Sequence, residues 1–530
     1  MFNKPNVLKL QLTAGLVLVI ASACTDRAFA DVRLPAVIGD NMVLQQQMEV
    51  PIWGWAEPGE EITLSGSWCD SKWQTNADKN GKWLVKIEPP KAPGPHEMTV
   101  SGKNTIKIKN ILAGEVWLAS GQSNMEMPVT YTSIHNQGVP NYKLEIATAD
   151  FQQIRLFKVE HNSTKEPQSD CTGKWELCSP ETIPQFSAIA YFFGRELHTR
   201  LRVPIGLLYP CWGGTEAGAW MSRKVLESDP DFKDIIDEFE YMVANYPQAR
   251  KEYDLKMQEW KKLAAKAKSE GKEVPKRPAK TRILLPRKLP TGLYNGMIAP
   301  LIPYAMKGVI WYQGEGNVPR AYQYRKLFPA MIKNWRDDWG EGDFSFLFVQ
   351  LANLGSVIPK PTQSGWAELR EAQLMTLSLP NTAMAVAVDL GEADNIHPRR
   401  KQEVGRRLAL AALGKVYGKD VVYSGPVYKS MEIKGNKIVL HFEHTGSGLV
   451  SKNGWPLKGF AIAGADRNFV WADADIVDDT VEVTAESVTS PVAVRYAWAD
   501  NPLCTLYNKE YLPASGFRTD DWPGITLDKK

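Results

Sequence analysis

Cysteine is scarce, with six in 530 residues, at positions 24, 69, 171, 178, 211 and 504. No two of them stand in Cys-x-x-Cys spacing, which argues against a structural or catalytic zinc site. Histidine is also rare. Any imidazole base must be one of seven: His96, His135, His161, His198, His397, His441 or His444. Charge of one sign is nearly absent: 63 Lys and Arg oppose 60 Asp and Glu, for a formal net charge of +3. That balance gives no global attraction for nucleic acid or an anionic membrane. Beyond the N-terminus no apolar run approaches the ~20 residues that cross a bilayer. Internal repeats and low-complexity segments are missing too.

The N-terminus reads as a targeting segment. Lys4 and Lys9 form a positive region, residues 12–23 are largely apolar, and Ala28-Phe29-Ala30 supplies a small-x-small cleavage signal. Cleavage after Ala30 removes Lys4, Lys9, Arg27 and Asp26, lowering the net charge from +3 to +1. The expected location is periplasmic or secreted. A lipobox at Ala21-Ser22-Ala23-Cys24, anchoring a lipoprotein at Cys24, is the alternative; Ala21 stands where a larger aliphatic residue is usual. Export permits disulfides. Cys171 and Cys178 either close a short loop or remain thiols.

The remaining chain is that of a folded protein, 44% hydrophobic and 23% charged, with 18 Trp. Trp suits sugar faces, but most of these are read as core. Residues 31–112 carry short alternating runs (49–55, 61–64, 82–87, 98–101, 105–111) between turn signals such as Lys79-Asn80-Gly81, which predicts a β-sandwich or jelly-roll segment. From residue 113 the pattern becomes α/β. Apolar strand-length runs at 115–119, 203–209, 308–312, 344–351 and 383–390 alternate with helical stretches at 186–201, 322–339, 368–379 and 398–413. Strands apolar on both faces imply a parallel sheet covered by helices, a three-layer α/β/α domain over 113–415. Residues 226–285 interrupt it as a charged helical insertion, acidic then lysine-rich, read as a solvated surface helix. The β pattern returns over 416–530, with Lys434-Gly435-Asn436 as a hairpin signal.

Loops after the strands of a parallel sheet are where sites form. Four of them carry candidate groups. Ser123 follows the 115–119 strand in Gly121-Gln122-Ser123-Asn124, where a serine can be presented as a nucleophile. Asp394-Asn395-Ile396-His397 follows the 383–390 strand; an Asp three residues before a His can bond Nδ1 and leave Nε2 free as a base. Gly213-Gly214 follows the strand ending at Tyr209 and lets backbone N–H groups approach a substrate oxygen. Gln313 and Glu315 lie after the 308–312 strand, where Gln313 can donate its amide to an oxyanion. Each alone is matched by a bland reading: a helix-capping serine, a surface histidine, a plain turn.

The ordered combination resembles the SGNH hydrolases. The stretches "GEVWLASGQSNMEMPV", "GLLYPCWGGTEAGAWMS", "LYNGMIAPL", "VIWYQGEGN" and "DNIHP" are similar to the sialate O-acetylesterase branch. So are the flanks "RLPAVIGDNMVLQQ" and "YNKEYLPASGFRTDDW". The resemblance implies Ser123 as nucleophile, His397 as base and acid, and Asp394 as its orienter. It implies oxyanion donors at Ser123 N–H, Gly213 or Gly214, and Gln313. The usual third block is Gly-x-Asn where this chain has Gln-Gly-Glu, so Asn317 is the alternative donor. Gln122, Asn124, Tyr294, Glu315 and Asn317 become candidate substrate contacts. The implied reaction is hydrolysis of acetyl esters on a glycan, with no metal and no cofactor; 9-O-acetyl sialic acid and acetylated xylan both fit. For a substrate carboxylate, Arg223, Arg399 and Arg400 lie near site loops in sequence. A non-catalytic carbohydrate-binding protein and a peptidase are the rival classes. Oligomeric state is not legible.

Overall fold

The computed structural model describes residues 31–91, 93–278 and 286–529. The expected targeting segment and the alternative lipobox at Cys24 lie outside them. Among the described residues no helix is long and apolar enough to cross a membrane.

The centre is a seven-strand path of β1 (Thr105–Gly121), β2 (Phe151–Lys158), β3 (Trp175–Cys178), β4 (Ile205–Tyr209), β5 (Gly308–Tyr312), β6 (Ser345–Gln350) and β7 (Thr382–Val386). Its order is β7-β6-β5-β1-β4-β2-β3, parallel throughout except for the antiparallel β2–β3 edge. The chain builds outward from β1 in both directions, so β1 with its neighbours β4 and β5 forms the switch point where a crevice opens at the strand ends.

β1 unites two patterns. Its first residues alternate exposed and buried, and from Ile111 onward every residue is buried. Asn110, at φ 57, marks the change of direction. Its outer half pairs with the N-terminal strand His96–Ser101, and its inner half lies in the parallel sheet. The two runs read separately in the sequence, 105–111 and 115–119, are therefore one strand.

Helices cover both faces. On one side α1 (Ala188–Leu201) sets Phe193 edge-on to Trp117 at 5.0 Å. On the other, α2 (Ala321–Trp339) sets Phe328 against Phe346 and Phe348 at 6.1 and 5.1 Å. Each such large apolar side chain contributes about 1.5–3 kcal/mol by leaving water. Next to α2 runs α3 (Gly365–Met375), and α4 (Lys401–Lys415) packs on α1. A Cβ at Gly405 would stand 2.8 Å from Phe192 Cβ, so a glycine is needed for α4 to lie that close.

Within the insertion, Lys233–Ser269 is one long helix. Some of its charges pair along the helix, as in Lys233–Asp237 and Arg250–Asp254 at 2.7 and 3.0 Å, with exposed side chains. The C-terminal strands form antiparallel sheets, among them Val427–Lys434, Lys437–Glu443, Thr480–Thr484 and Asp473–Val477 in spatial order. Cys69, Cys171, Cys178, Cys211 and Cys504 are all free thiols, so the short loop between Cys171 and Cys178 is not closed by a bond. Burial pushes both thiols up to about 12.

Candidate active site

The ends of β1, β4 and β5 meet at Ser123. Gly121 has φ 140, and a Cβ there would stand 2.1 Å from the Tyr312 carbonyl oxygen. Only glycine lets β1 end so close to β5. Ser123 then opens a single helical turn, Ser123–Glu126, and is half-buried. As the first helical residue its N–H is one of the turn's orphan donors. Gly213 packs on it: a Cβ at Gly213 would lie 3.1 Å from Ser123 Cβ. The Gly213 N–H donates to Glu126 Oε2 at 2.6 Å, whereas Gly214 is exposed with φ 72. Glu126 also holds His161 Nε2 at 2.8 Å, and that imidazole stacks on Trp212 at 4.2 Å.

Asn124 joins three loops. Its amide nitrogen donates to Glu315 Oε1 at 2.5 Å and to the Ile396 carbonyl at 3.0 Å, while Oδ1 accepts from Lys401 Nζ at 2.5 Å. This network sits in the core: Asn124 is 1% exposed and Lys401 0%. Burial holds Lys401 down to about 7 and pushes the Glu315 carboxyl up. The Ile396 contact seats the neighbouring His397 beside the serine turn.

His397 is half-buried. Burial first, then the Lys401 charge, holds its pKa below the usual imidazole value, against opposite pulls from the His135 backbone and Glu126. Its Nδ1 is buried without a hydrogen-bond partner among the described residues, and Asp394 is exposed. The bond expected between them is not made in this structure. The reason lies in Asn395, whose side chain accepts from the His397 N–H at 3.0 Å and donates to Glu392 at 3.1 Å and to the His397 carbonyl at 3.0 Å. Asn395 braces the loop from inside and leaves Asp394 outside.

Several expected roles change on this geometry. Gln313 is fully buried; its amide donates to Thr215 O and Asn317 Oδ1, and its oxygen accepts from Tyr324. It has no N–H left for an oxyanion. Gln122, Asn124 and Glu315 are spent between loops rather than on substrate; Gln122 Oε1 accepts from the N–H groups of Gly314 and Gly316 at 3.4 and 3.2 Å. Asn317 Oδ1 takes Gln313 and Ala217 N, leaving its amide nitrogen uncommitted. Tyr294 faces a separate cavity of about 1000 Å³ beside the insertion helix, where its hydroxyl donates to Asp338 at 2.5 Å. Arg223 is paired with Glu227 and Glu240, and Arg399 with Glu392. Sequence reasoning passed over Glu126, His161 and Lys401. Glu126 lies three residues from Ser123 within one helical turn, which is the signal that could have found it; Lys401 opens the helix that follows the His397 loop.

A profile described as "Carbohydrate esterase, sialic acid-specific acetylesterase" matches residues 286–414. The chain is 30% identical to mouse sialate O-acetylesterase over 95% of its own length and 97% of that protein's. It is 29% identical to the human sialate O-acetylesterase over 97% and 98%. A crystal structure of a carbohydrate acetylesterase from Xanthomonas citri superimposes with a TM-score of 0.78 at 37% identity, covering 93% of this chain and all of that one. A serine at the switch point of a parallel sheet, with these relatives, defines a carboxylic ester hydrolase of the carbohydrate esterase class. The chain belongs to the sialate O-acetylesterase family.

Proposed function

We propose that this protein is exported and removes O-acetyl groups from sugars, with Ser123 as nucleophile and His397 as base. The observation that carries the reading is the seating of Ser123. It stands at the end of β1 against Gly213, with the His397 loop tied to it through Asn124. Ser123 Oγ attacks the acetyl carbonyl while His397 Nε2 takes its proton. The tetrahedral oxyanion is held by the N–H groups of Ser123 and Gly214 and by the Asn317 amide, which takes the place expected for Gln313. Gly213 is held by Glu126 and shapes the turn. The C–O bond to the sugar breaks and the sugar oxygen leaves with the proton from His397. Water then attacks the acetyl-enzyme through the same base, releasing acetate and restoring Ser123. Asp394 is the orienter of His397 in this scheme. Its carboxylate turns inward to the unpartnered Nδ1 when substrate closes the loop, since catalytic hydrogen bonds are often unmade in a free enzyme.

The family's named activity makes 9-O-acetyl sialic acid the first substrate. Acetylated xylan or another neutral glycan is the second, because the Xanthomonas relative is described only as acting on carbohydrate. Acetate release from both, at equal acetyl concentration, decides between them. p-Nitrophenyl acetate tests the chemistry itself. Ser123→Ala should lower kcat by at least about 1000-fold with unchanged thermal unfolding. A variant keeping a tenth of the wild-type rate would remove Ser123 from the mechanism.

A further inference from the structure

The cations beside the Gly213-Gly214 loop differ in one respect. Lys288 Nζ lies 2.8 Å from Glu216 Oε1, and Arg320 pairs with the same Glu216 and with Glu238 at 3.1 Å. Arg287, next to Lys288, forms no ion pair among the described residues, and its Nε is buried without a hydrogen-bond partner. The adjoining residues 279–285 contain no Asp or Glu, so that stretch supplies no counter-ion. The guanidinium lies over Gly214, where a Cβ would stand 3.3 Å from Nε and 3.6 Å from Nη2. The preceding residue, Gly213, is the one packed on Ser123. Two adjacent residues thus span the gap, placing the guanidinium within roughly 13 Å of the nucleophile at backbone spacing. A buried donor without an acceptor is costly, and an anion arriving with the substrate would satisfy it. A guanidinium matches a carboxylate through two parallel N–H···O bonds.

Resting on the acetylesterase reading above, we propose that Arg287 binds the carboxylate of an acidic O-acetylated sugar and so selects sugar acids over neutral sugars. The acetyl ester reaches Ser123 past Gly213 while the acid group of the same sugar lies against Arg287. Of the arginines near the loops in sequence, Arg223 and Arg399 already have carboxylate partners, and Arg400 is exposed at the start of α4 rather than against the Gly213-Gly214 loop.

The test compares acetate release from 9-O-acetyl sialic acid with release from its C1 carboxamide, which keeps the sugar and the ester but loses the charge. Wild type should favour the acid in kcat/KM by about 10–100-fold, the range of a charge-assisted pair. Arg287→Gln should bring the ratio close to one, and Arg287→Lys should keep part of it. The ratio is taken within each variant, so a general loss of active protein cancels. If Arg287→Gln has no measurable turnover, calorimetric binding of the two sugars to Ser123→Ala with and without Arg287→Gln gives the same ratio. A wild-type ratio near one, or a ratio unchanged in Arg287→Gln, overturns the assignment and leaves the esterase reading standing. Release from neither sugar, nor from any other acetylated glycan, overturns both.

Discussion

Gly213 has little room at the site. A methyl group there would lie 3.1 Å from Ser123 Cβ and 2.7 Å from Glu126 Oε2, against the proposed nucleophile on one side and the group holding its own N–H on the other. Gly213→Ala should therefore lower kcat by at least about tenfold, in line with displaced oxyanion geometry, with little change in unfolding temperature because the loop is at the surface. A variant with wild-type kcat would show that the loop moves aside at no cost. With His397 as the proposed base, its ionisation sets the expected pH response. Its pKa is held below ~6.5, and a base must be neutral to take the serine proton. The rate should thus fall only as pH drops through that lowered value, and be on its plateau at pH 7. His397→Ala should remove both the limb and most of the rate. A midpoint above 6.5 in kcat/KM against pH would contradict the burial and Lys401 effects that depress it.

The loops at the strand ends are bound to one another through Asn124. Asn124, Glu315, Ile396 and Lys401 come from three segments joined by one side chain. Asn124→Ala would leave the Lys401 ammonium and the Glu315 carboxyl buried without their bridging amide. The expected loss is about 3–5 kcal/mol in denaturant unfolding, together with a fall in kcat as the His397 loop drifts from Ser123. An unchanged midpoint would mean that water fills the site. None of these ties is visible in the sequence. The partners of Asn124 stand 191, 272 and 277 residues away, and spacing along a chain holds no record of such pairs. Local pattern served better. Gly308–Tyr312 was legible to the residue as an apolar run closed by a polar turn, and the 186–201 stretch was legible because its apolar period ends in a helix capped by Ser187. The strand Phe151–Lys158 was not, because exposed Gln152 and Gln153 break its apolar run. The inward bonds of Gln313 were not legible for a related reason: an amide looks alike in sequence whether it faces a cleft or, as here, bonds to Thr215, Asn317 and Tyr324 inside.

At the scale of the molecule, the β segments at the two ends are coupled to the central sheet by different means. The N-terminal segment shares β1 itself, and Tyr304 donates to the Val43 carbonyl at 2.7 Å to pin it. The C-terminal segment is held by polar groups. Arg370, 1% exposed on α3, donates to the carbonyls of Leu351 and Ala352 after β6, and to those of Ala499 and Asp500 in the C-terminal segment. Burial holds this guanidinium down to about 10, against the opposite pulls of Cys504, Asp500 and Tyr312. One residue further on, Glu371 receives Arg518 at 2.7 Å, while Glu368 receives the N–H groups of Ile525 and Thr526 at 2.7 and 3.1 Å. Tyr507 reaches across to Asp389, which also binds Arg407 of α4 at 2.6 Å. With one strand shared at one end and a ring of buried bonds at the other, the wild-type chain should unfold in a single calorimetric transition, and esterase activity should vanish within it. Arg370→Met removes the charge but strands four carbonyls, each costing about 1–3 kcal/mol when left unpaired. That variant should show a new, earlier transition from release of the C-terminal segment. Activity should decline with the earlier transition, because the Leu351–Ala352 turn adjoins the sheet edge that carries the Asp394–His397 loop. Two separated transitions already present in wild type, with activity following only the later one, would show that the C-terminal segment is an independent module.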